Sequence, residues 1–394
     1  GFIRVAGNQF VDDTCAEFRL ADKIDEQGGK ALDFIIAEAG KFGIRLTINL
    51  LNLWKPANGV PSFEKWCGTE GSQARPRPDL EPPGLNVTPD QRLQQPYDWL
   101  MLPKCRDQVK QYFSMLVGRV NTVTGVAYRD DPTIMSWNLL NEPRCKYCGT
   151  EAIDSWYGDM AAHLKSVDPN HMVTTGQEGF FAEGDPLERF NPGGKSDGNP
   201  SLWGPRSGQD FRANHAHAAI DYAVIHMWPD NWREPNYDIN WARDWITSHA
   251  QARAWTAAGG GASAAAEIGK PLVLEEFGKE ASEGQITSVR DPWYQMVHGL
   301  VEDSLATGGS LRAALFWQWD GTWSPMGNRP ETSNHVHVDD TTFTAHIKPF
   351  AKSMAEGPRA AVPGCTPRTG PAEPVVQSFE GDKPAAKAGR KLLA

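Results

Sequence analysis

Apolar runs of strand length alternate with amphipathic helical segments along most of this chain. Apolar residues at helical spacing predict helices at 31–42, 106–123 and 156–167, and an alanine-rich stretch at 241–268 extends the series. The apolar runs between them predict buried strands at 44–54, 133–140, 171–179, 221–228, 270–277 and 312–319. Strands that are apolar on both faces are typical of parallel sheets covered by helices. The order therefore predicts an α/β fold whose parallel sheet is closed into a barrel or doubly wound.

Length and composition favour one large domain. The chain has 394 residues, of which 40% are hydrophobic and 22% are charged, as in a globular protein able to bury a large core. Since α/β barrels commonly use roughly 200 to 250 residues or more as one unit, a single domain over residues 1–355 is expected. From residue 356 the chain is rich in Pro, Ala, Gly and Lys, which predicts a flexible tail over 356–394.

The charge balance argues against several classes of partner. A net charge of −10 offers no basic field for nucleic acid or for an anionic membrane surface. No apolar run approaches the roughly 18 residues that a membrane-spanning helix needs. The sequence also has no GxGxxG or Walker loop to bind a nucleotide. A monomer without nucleic-acid partners, membrane partners or cofactors is expected.

Cysteine spacing leaves three interpretations of one motif. Of the six cysteines, Cys145 and Cys148 form a C-x-x-C that could be half of a zinc site, a redox pair or a local disulfide. Zinc would need a second ligand pair, and the sequence has no other CxxC or HxxxH. The surroundings do not suggest the thioredoxin-like setting of a redox pair, so a structural disulfide is favoured. The sequon Asn86-Val87-Thr88 fits an extracellular protein.

Two glutamates lie near the ends of predicted strands. Glu142 stands in "TIMSWNLLNEPRC" and Glu276 in "KPLVLEEFGK". In a parallel barrel all strands direct their carboxyl ends to one face, so both side chains would reach one cleft. A retaining glycosidase needs such a pair, one carboxyl group as acid and the other as nucleophile, about 5 Å apart. The alternative for either glutamate alone is a solvated loop residue.

Four strings occur in order along the chain and carry a resemblance: "DDPTIMSWNLLNEPRC", "IDYAVIHMWPDNW", "GKPLVLEEFGK" and "LFWQW". Together they resemble the endo-β-1,4-mannanases of glycoside hydrolase family five, of the plant, algal and fungal type. The resemblance runs from Gly1 to Met354. It implies a (β/α)8 TIM barrel, secreted toward a cell wall, that hydrolyses internal β-1,4-mannosidic bonds of mannans, galactomannans and glucomannans with retention and without a metal.

The resemblance also implies roles for single residues. Glu142 looks like the acid/base and is expected to be held protonated by a charged neighbour, while Glu276 looks like the ionised nucleophile. Asn141 is of the type that hydrogen-bonds a sugar 2-hydroxyl, and His226 could tune the two carboxylates. Further substrate contacts are implied for three aromatic residues: Trp54, Trp228 and Trp317. Trp228 stands where the family usually has a tyrosine, so a ring is kept but a hydroxyl is lost.

The N-terminal region departs from the family pattern. The opening "GFIRVAGNQFVDDTCAEFRL" looks like a leading hairpin and the start of the first barrel strand, whereas "DEQGGKALDF" belongs just before the second helix. Most of the first strand, the first helix and the second strand are predicted to be missing, about one βαβ unit of ~30 residues or more. With them goes an arginine that the family places near the nucleophile, and Arg19 does not match it.

The sequence leaves alternatives open both for the N-terminal gap and for the function. The gap has three explanations: a faulty or alternatively spliced gene product, a barrel closed by other segments, or a relative without activity. The carboxylate pair does not distinguish mannan from β-glucan, so a β-1,4-glucanase of the same fold is the nearest alternative. A non-catalytic carbohydrate-binding protein and a transglycosylase are the others.

Overall fold

The computed structural model describes residues 2–6, 26–54, 59–69, 96–194, 198–199, 202–232, 238–250, 264–319 and 333–356. Several predictions lie outside these residues: the sequon Asn86-Val87-Thr88, Cys15, Cys365, Arg19 and the tail beyond Glu356. In the described part, no helix is both long and apolar enough to cross a membrane.

Parallel strands form the centre of the molecule. Four of them pair in chain order in one sheet: β1 (Phe2–Ala6), β2 (Arg45–Asn49), β3 (Ile134–Asn138) and β4 (Met172–Thr174). Three more form a second parallel sheet: β5 (Ala223–Met227), β6 (Leu272–Phe277) and β7 (Leu311–Phe316). The amide of Asp221 donates to the carbonyl of Val173 at 2.8 Å, which joins the sheets between β4 and β5. Because β1 also lies against β7, the strands follow one another around a barrel.

Helices cover the outside of this barrel. They are α1 (Glu26–Lys41), α2 (Val60–Cys67), α3 (Tyr97–Met101), α4 (Pro103–Val117), α5 (Glu151–Val167), α6 (Phe211–Ala216), α7 (Ile239–His249), α8 (Ala264–Glu267), α9 (Asp291–Thr307) and α10 (Lys348–Glu356). In α5 the buried residues include Ile153, Trp156, Met160 and Leu164, which recur at the three- and four-residue spacing of one helix face. The predicted alternation of strands and helices is confirmed.

The predicted helix at 106–123 ends earlier than expected. The helix stops at Val117, and the Asn121 side chain accepts the amides of Val123 and Thr124 at 2.8 and 3.1 Å. An asparagine that bonds the backbone two and three residues ahead favours a turn over continued helix. The alanine-rich stretch gives two separate helices, α7 and α8, and residues 251–263 between them lie outside the description.

Two apolar clusters form the core, one beside each sheet. The first packs α1, α2, α4 and α5 against β2 to β4, and the second packs α7 and α9 against β5 to β7. Among the tryptophans that the structure describes, four are fully buried: Trp99, Trp137, Trp156 and Trp245. Burying a large aromatic side chain contributes about 2 to 3 kcal/mol, so much of the tryptophan content serves stability.

Two disulfides join cysteines in the described residues. Cys145 bonds Cys148, with a Cα to Cα distance of 5.4 Å, so the predicted local disulfide is confirmed. Cys67 bonds Cys105 across 5.3 Å and ties α2 to α4. The short Cys145–Cys148 loop holds Tyr147 at φ +62°, a left-handed conformation uncommon for a residue with a side chain.

Candidate active site

The chain after β3 turns Glu142 into the mouth of the barrel. The amides of Leu139 and Leu140 donate to the carbonyls of Thr174 and Thr175 at 3.0 and 3.1 Å, which continues the pairing with the segment after β4. The amide of Glu142 then donates to Gly176 at 2.8 Å while its φ is +50°. This left-handed conformation is rare outside glycine and persists where surrounding bonds enforce it. The backbone therefore fixes the position from which the Glu142 side chain extends.

The second sheet supplies the opposite side of the cleft. His226 on β5 and Glu276 on β6 are register partners, and the register shifts just before His226. Both side chains are buried, with 0% and 6% of their surface exposed. The two predicted residues thus stand next to each other at the carboxyl ends of neighbouring strands.

Glu142, His226 and Glu276 meet in one cluster. One carboxylate oxygen of each glutamate and one ring nitrogen of His226 all lie within 4.8 Å of one another. His226 Nδ1 is 2.7 Å from Glu142 Oε1 and 3.6 Å from Glu276 Oε2. On the other side of the ring, Nε2 is 3.7 Å from Glu275 Oε2. The distance of at most 4.8 Å between the oxygens of Glu142 and Glu276 suits a retaining pair of carboxyl groups, which lie about 5 Å apart. It is too short for the wider spacing of an inverting pair.

Three carboxylates around one imidazole decide its charge. Burial alone would lower the pKa of His226, but Glu276, Glu142 and Glu275 outweigh it and raise the pKa to about 10. His226 is therefore an imidazolium at neutral pH. A protonated ring has no lone pair for a metal, so His226 would have to lose a proton before it could bind one.

Glu142 is ionised in this arrangement. Burial raises its pKa, but the hydrogen bond and positive charge of His226, with Arg144 and Trp54, lower the pKa to about 2. The expectation of a protonated Glu142 is wrong for this state, because the nearest charged neighbour is a cation and not a second carboxylate. Protonation of Glu142 requires a change in the contacts that favour its ionised form.

Trp54, expected at the cleft wall, contacts Glu142 directly. Its indole Nε1 donates to Glu142 Oε2 at 2.6 Å. The backbone amide of Trp54 donates to Asn52 Oδ1 at 3.1 Å, and the Asn141 side chain donates to the same oxygen at 3.2 Å. Asn141 therefore points toward the segment after β2, beside Glu142 and Trp54.

Trp228 and Trp317 meet around Gly278, just after the strand that carries Glu276. A Cβ on Gly278 would lie 2.8 Å from the Trp228 ring and 2.8 Å from the Trp317 carbonyl oxygen. The Trp317 amide donates to Phe277 at 2.8 Å, and the Trp317–Gln318 peptide bond is cis. Only glycine leaves space for this approach. The resemblance implies substrate contacts for both tryptophans, and the structure places both beside the residue that follows the Glu276 strand.

Sequence reasoning missed a buried ion pair beside the cluster. Arg144 Nε and Nη2 lie 2.8 and 2.5 Å from Glu178 Oε1, and Glu178 is fully buried. Burial raises the pKa of Glu178, which Arg144 partly offsets. The Gln209 side-chain amide donates to Glu178 Oε2, and also to Pro143 at 3.0 Å. Glu178 follows β4 as Glu142 follows β3, so the same strand-end pattern could have found it.

Aromatic rings surround the arginine of this pair. The Arg144 guanidinium carbon lies 5.3 Å from the ring centre of Trp54, 5.6 Å from Phe180 and 5.1 Å from Trp203. Cations over aromatic faces at this distance are attracted by the ring quadrupole. Arg144 thus links the Glu178 carboxylate to the ring that contacts Glu142.

Comparison with known proteins identifies the family of this chain. A family model described as GH family 5 beta-mannosidase-like matches residues 17–193 and 194–342. Mannan endo-1,4-beta-mannosidase 1 of Solanum lycopersicum is 32% identical over 336 residues, which cover 82% of this chain and 73% of the relative. Mannan endo-1,4-beta-mannosidase 2 of Oryza sativa subsp. japonica is 34% identical over 75% of this chain, but this match spans only 60% of the rice protein.

A solved structure shows the same fold. The hyperthermostable endo-1,4-beta-D-mannanase from Thermotoga petrophila RKU-1 superposes with a TM-score of 0.62 at 28% identity, over 86% of this chain and 82% of that chain. The family match covers well over half of the residues, and the matched ranges include Glu142 and Glu276. The chain therefore belongs to the beta-mannosidase-like family within glycoside hydrolase family 5.

Proposed function

We propose that this chain is a retaining endo-hydrolase of internal β-1,4-mannosidic bonds in mannan-type polysaccharides. The observation that carries the proposal is the cluster in which oxygens of Glu142 and Glu276 lie within 4.8 Å of each other and of His226. The mannan endo-1,4-beta-mannosidases among its relatives support mannan as the substrate class.

In the first step Glu276 attacks the anomeric carbon, and the bond from that carbon to the leaving oxygen breaks. Glu142 takes up a proton when substrate binds, for which His226 Nδ1, 2.7 Å from Oε1, is the nearest donor. Glu142 then delivers this proton to the leaving oxygen and is left as a carboxylate. In the second step water attacks the anomeric carbon, Glu142 accepts the proton of the water, and the bond to Glu276 breaks. Two inversions leave the configuration unchanged.

Four further residues are assigned to substrate contact: Asn141, Trp54, Trp228 and Trp317. Asn141 lies beside Glu142 at the carboxyl end of the barrel, where an amide can reach a sugar hydroxyl. The tryptophans offer flat apolar faces of the kind on which sugar rings pack. Glu142, Glu276 and His226 are assigned to the chemistry, without a metal.

The abridged barrel is also part of the proposal. β1 pairs directly and in parallel with β2, and the described part of the chain has seven strands, one fewer than eight. This supports a barrel that keeps part of the first strand and lacks the first helix and the second strand. We assign residues 1–355 to this catalytic domain and 356–394 to a tail. Two disulfides support a secreted protein, since disulfides persist in oxidising compartments. A monomer is the proposed state.

The test is reducing-sugar release from soluble galactomannan by the wild-type chain and by Glu276→Ala. Loss of the nucleophile should lower kcat by about 10⁴-fold or more. Carboxymethylcellulose is the parallel substrate, and preference for it would replace mannan by β-glucan. Proton NMR of the first product anomer reports the stereochemistry, and an inverted product contradicts the retaining assignment. Binding without release by a folded wild-type chain would instead indicate a carbohydrate-binding relative.

A further inference from the structure

Both carboxylate oxygens of Glu142 face an N–H donor. His226 Nδ1 lies 2.7 Å from Oε1, and the indole Nε1 of Trp54 donates to Oε2 at 2.6 Å. A hydrogen bond given to a carboxylate favours its ionised form, because a proton on that oxygen would face the hydrogen of the donor. Glu142 is thus held as a carboxylate from two sides.

The two donors differ in what else they can do. An imidazole that loses its Nδ1 proton becomes an acceptor, so His226 can share a proton with Glu142 in either direction. An indole N–H only donates, so Trp54 favours the form in which Oε2 acts as an acceptor, the carboxylate. Control of Oε2 therefore belongs to Trp54.

The Trp54 ring is held in place from two directions. The backbone amide of Trp54 donates to Asn52 Oδ1 at 3.1 Å, and the Asn141 side-chain amide donates to the same oxygen at 3.2 Å. Arg144 lies over the ring at 5.3 Å and is itself fixed by the buried Glu178. These contacts connect the position of the indole to the segment that carries Glu142.

Charged groups from several elements face this region. They are His226 on β5, Glu275 and Glu276 on β6, Arg144 and Lys146 after β3, and Glu178 after β4. His226, Arg144 and Glu178 act on Glu142 through charge. Glu275 and Glu276 act on His226, and Lys146 interacts with Arg144 and Glu178. Among the described residues, Trp54 is the donor placed on Oε2.

We propose that Trp54 is a positioning residue for the acid/base step: its indole N–H fixes the orientation of the Glu142 side chain and favours the carboxylate over the protonated acid. This inference rests on the proposed function, in which Glu142 is the acid/base, and it gives Trp54 a task beyond sugar contact. Removing the N–H while keeping a ring should make Glu142 easier to protonate.

The experiment compares the wild type with Trp54→Phe. Glutamate labelled with ¹³C at the carboxyl group reports the titration of Glu142, whose signal is assigned by its loss in Glu142→Gln. The midpoint should rise by about one to two pH units in Trp54→Phe, the size of shift that loss of one hydrogen bond to a carboxylate produces. The alkaline limb of the pH profile of kcat/KM should move in the same direction.

Trp137→Phe is the matched control. Trp137 Nε1 donates to Asp168 Oδ2 at 2.6 Å, an indole-to-carboxylate bond of the same length outside the cluster. The Glu142 midpoint should be unchanged in this variant, because the lost bond does not involve Glu142.

The outcomes separate the two proposals. A Glu142 midpoint in Trp54→Phe that stays within a few tenths of a unit overturns the inference, even if the wild type hydrolyses mannan. A loss of kcat/KM that is equal at all pH values, without a titration shift, reduces Trp54 to a substrate contact and also overturns it. A shifted midpoint in a chain that releases no sugar supports control of Glu142 by Trp54 and contradicts the proposed function alone.

Discussion

At the residue scale, the Arg144 and Glu178 pair is where one substitution should cost most. Both side chains are buried, with Arg144 9% exposed and Glu178 0% exposed. Replacing Arg144 with Met leaves the Glu178 charge buried without its cation, which should lower the free energy of unfolding by about 3 to 5 kcal/mol. Urea denaturation followed by tryptophan fluorescence measures this change.

The double variant Arg144→Met with Glu178→Met is the control for that prediction. It removes both charges together, so its unfolding free energy should recover most of the loss caused by Arg144→Met alone. The contact at 2.5 Å implies that the two side chains are coupled. If the double variant loses as much unfolding free energy as the two single variants lose together, they are not coupled.

At the element scale, the two disulfides should differ in their contributions to stability. Cys67–Cys105 closes a loop with a sequence separation of 38, whereas Cys145–Cys148 spans 3. On loop-closure entropy the first should contribute about 4 kcal/mol and the second about 2 kcal/mol. Paired Cys→Ala variants of each, compared by denaturation midpoint, test the difference, and equal losses would contradict an origin in chain entropy.

At the scale of the whole molecule, buried histidines set the response to acid. Burial lowers the pKa of His215 to about 3 and those of His249 and His298 to about 4. Unfolding exposes these rings, which then take up protons below about pH 6.5, so the unfolded state binds more protons than the folded state. The free energy of unfolding should therefore fall as pH decreases from about 6.5 to 5. His226, with its raised pKa, acts in the opposite direction and loses its contribution only as pH rises toward about 10.

Urea denaturation at several pH values between 6.5 and 5 measures the slope of the unfolding free energy against pH. This slope gives the number of protons taken up on unfolding. His298 stacks on Phe350 at 4.0 Å between ring centres, so His298→Phe keeps an aromatic ring and removes one titrating group. This variant should reduce the slope by about one proton. An unchanged slope would mean that His298 is not kept neutral by the fold.

The sequence predicted the order of the elements better than their ends. Apolar runs identify the strands because both faces of a parallel sheet are buried. The predicted strand at 171–179 nevertheless stops at Thr174, since Gly176 and Gly179 take φ values of +86° and +98° that no strand allows. The positions of Glu142 and Glu276 were predictable because each follows an apolar run.

The charge state of the site was not predictable from the same pattern. It depends on His226 lying 2.7 Å from a carboxylate that is 84 residues away in the chain. Arg144 and Trp54 also lower the pKa of Glu142. Trp54 does so through a hydrogen bond that joins residues 88 positions apart in the chain. Local sequence gives residue types at strand ends, whereas protonation follows from distances that only the folded chain has.

The division of the barrel into two sheets separates the two glutamates. Glu142 follows a strand of the β1 to β4 sheet, and Glu276 lies in the β5 to β7 sheet, each sheet with its own apolar cluster. A break placed between residues 194 and 202 would therefore give two fragments, each with one of the two glutamates to which we assign the chemistry. Neither fragment alone holds both groups, so recovered sugar release would report that the fragments had met, which makes the chain a starting point for a split-enzyme sensor of protein association.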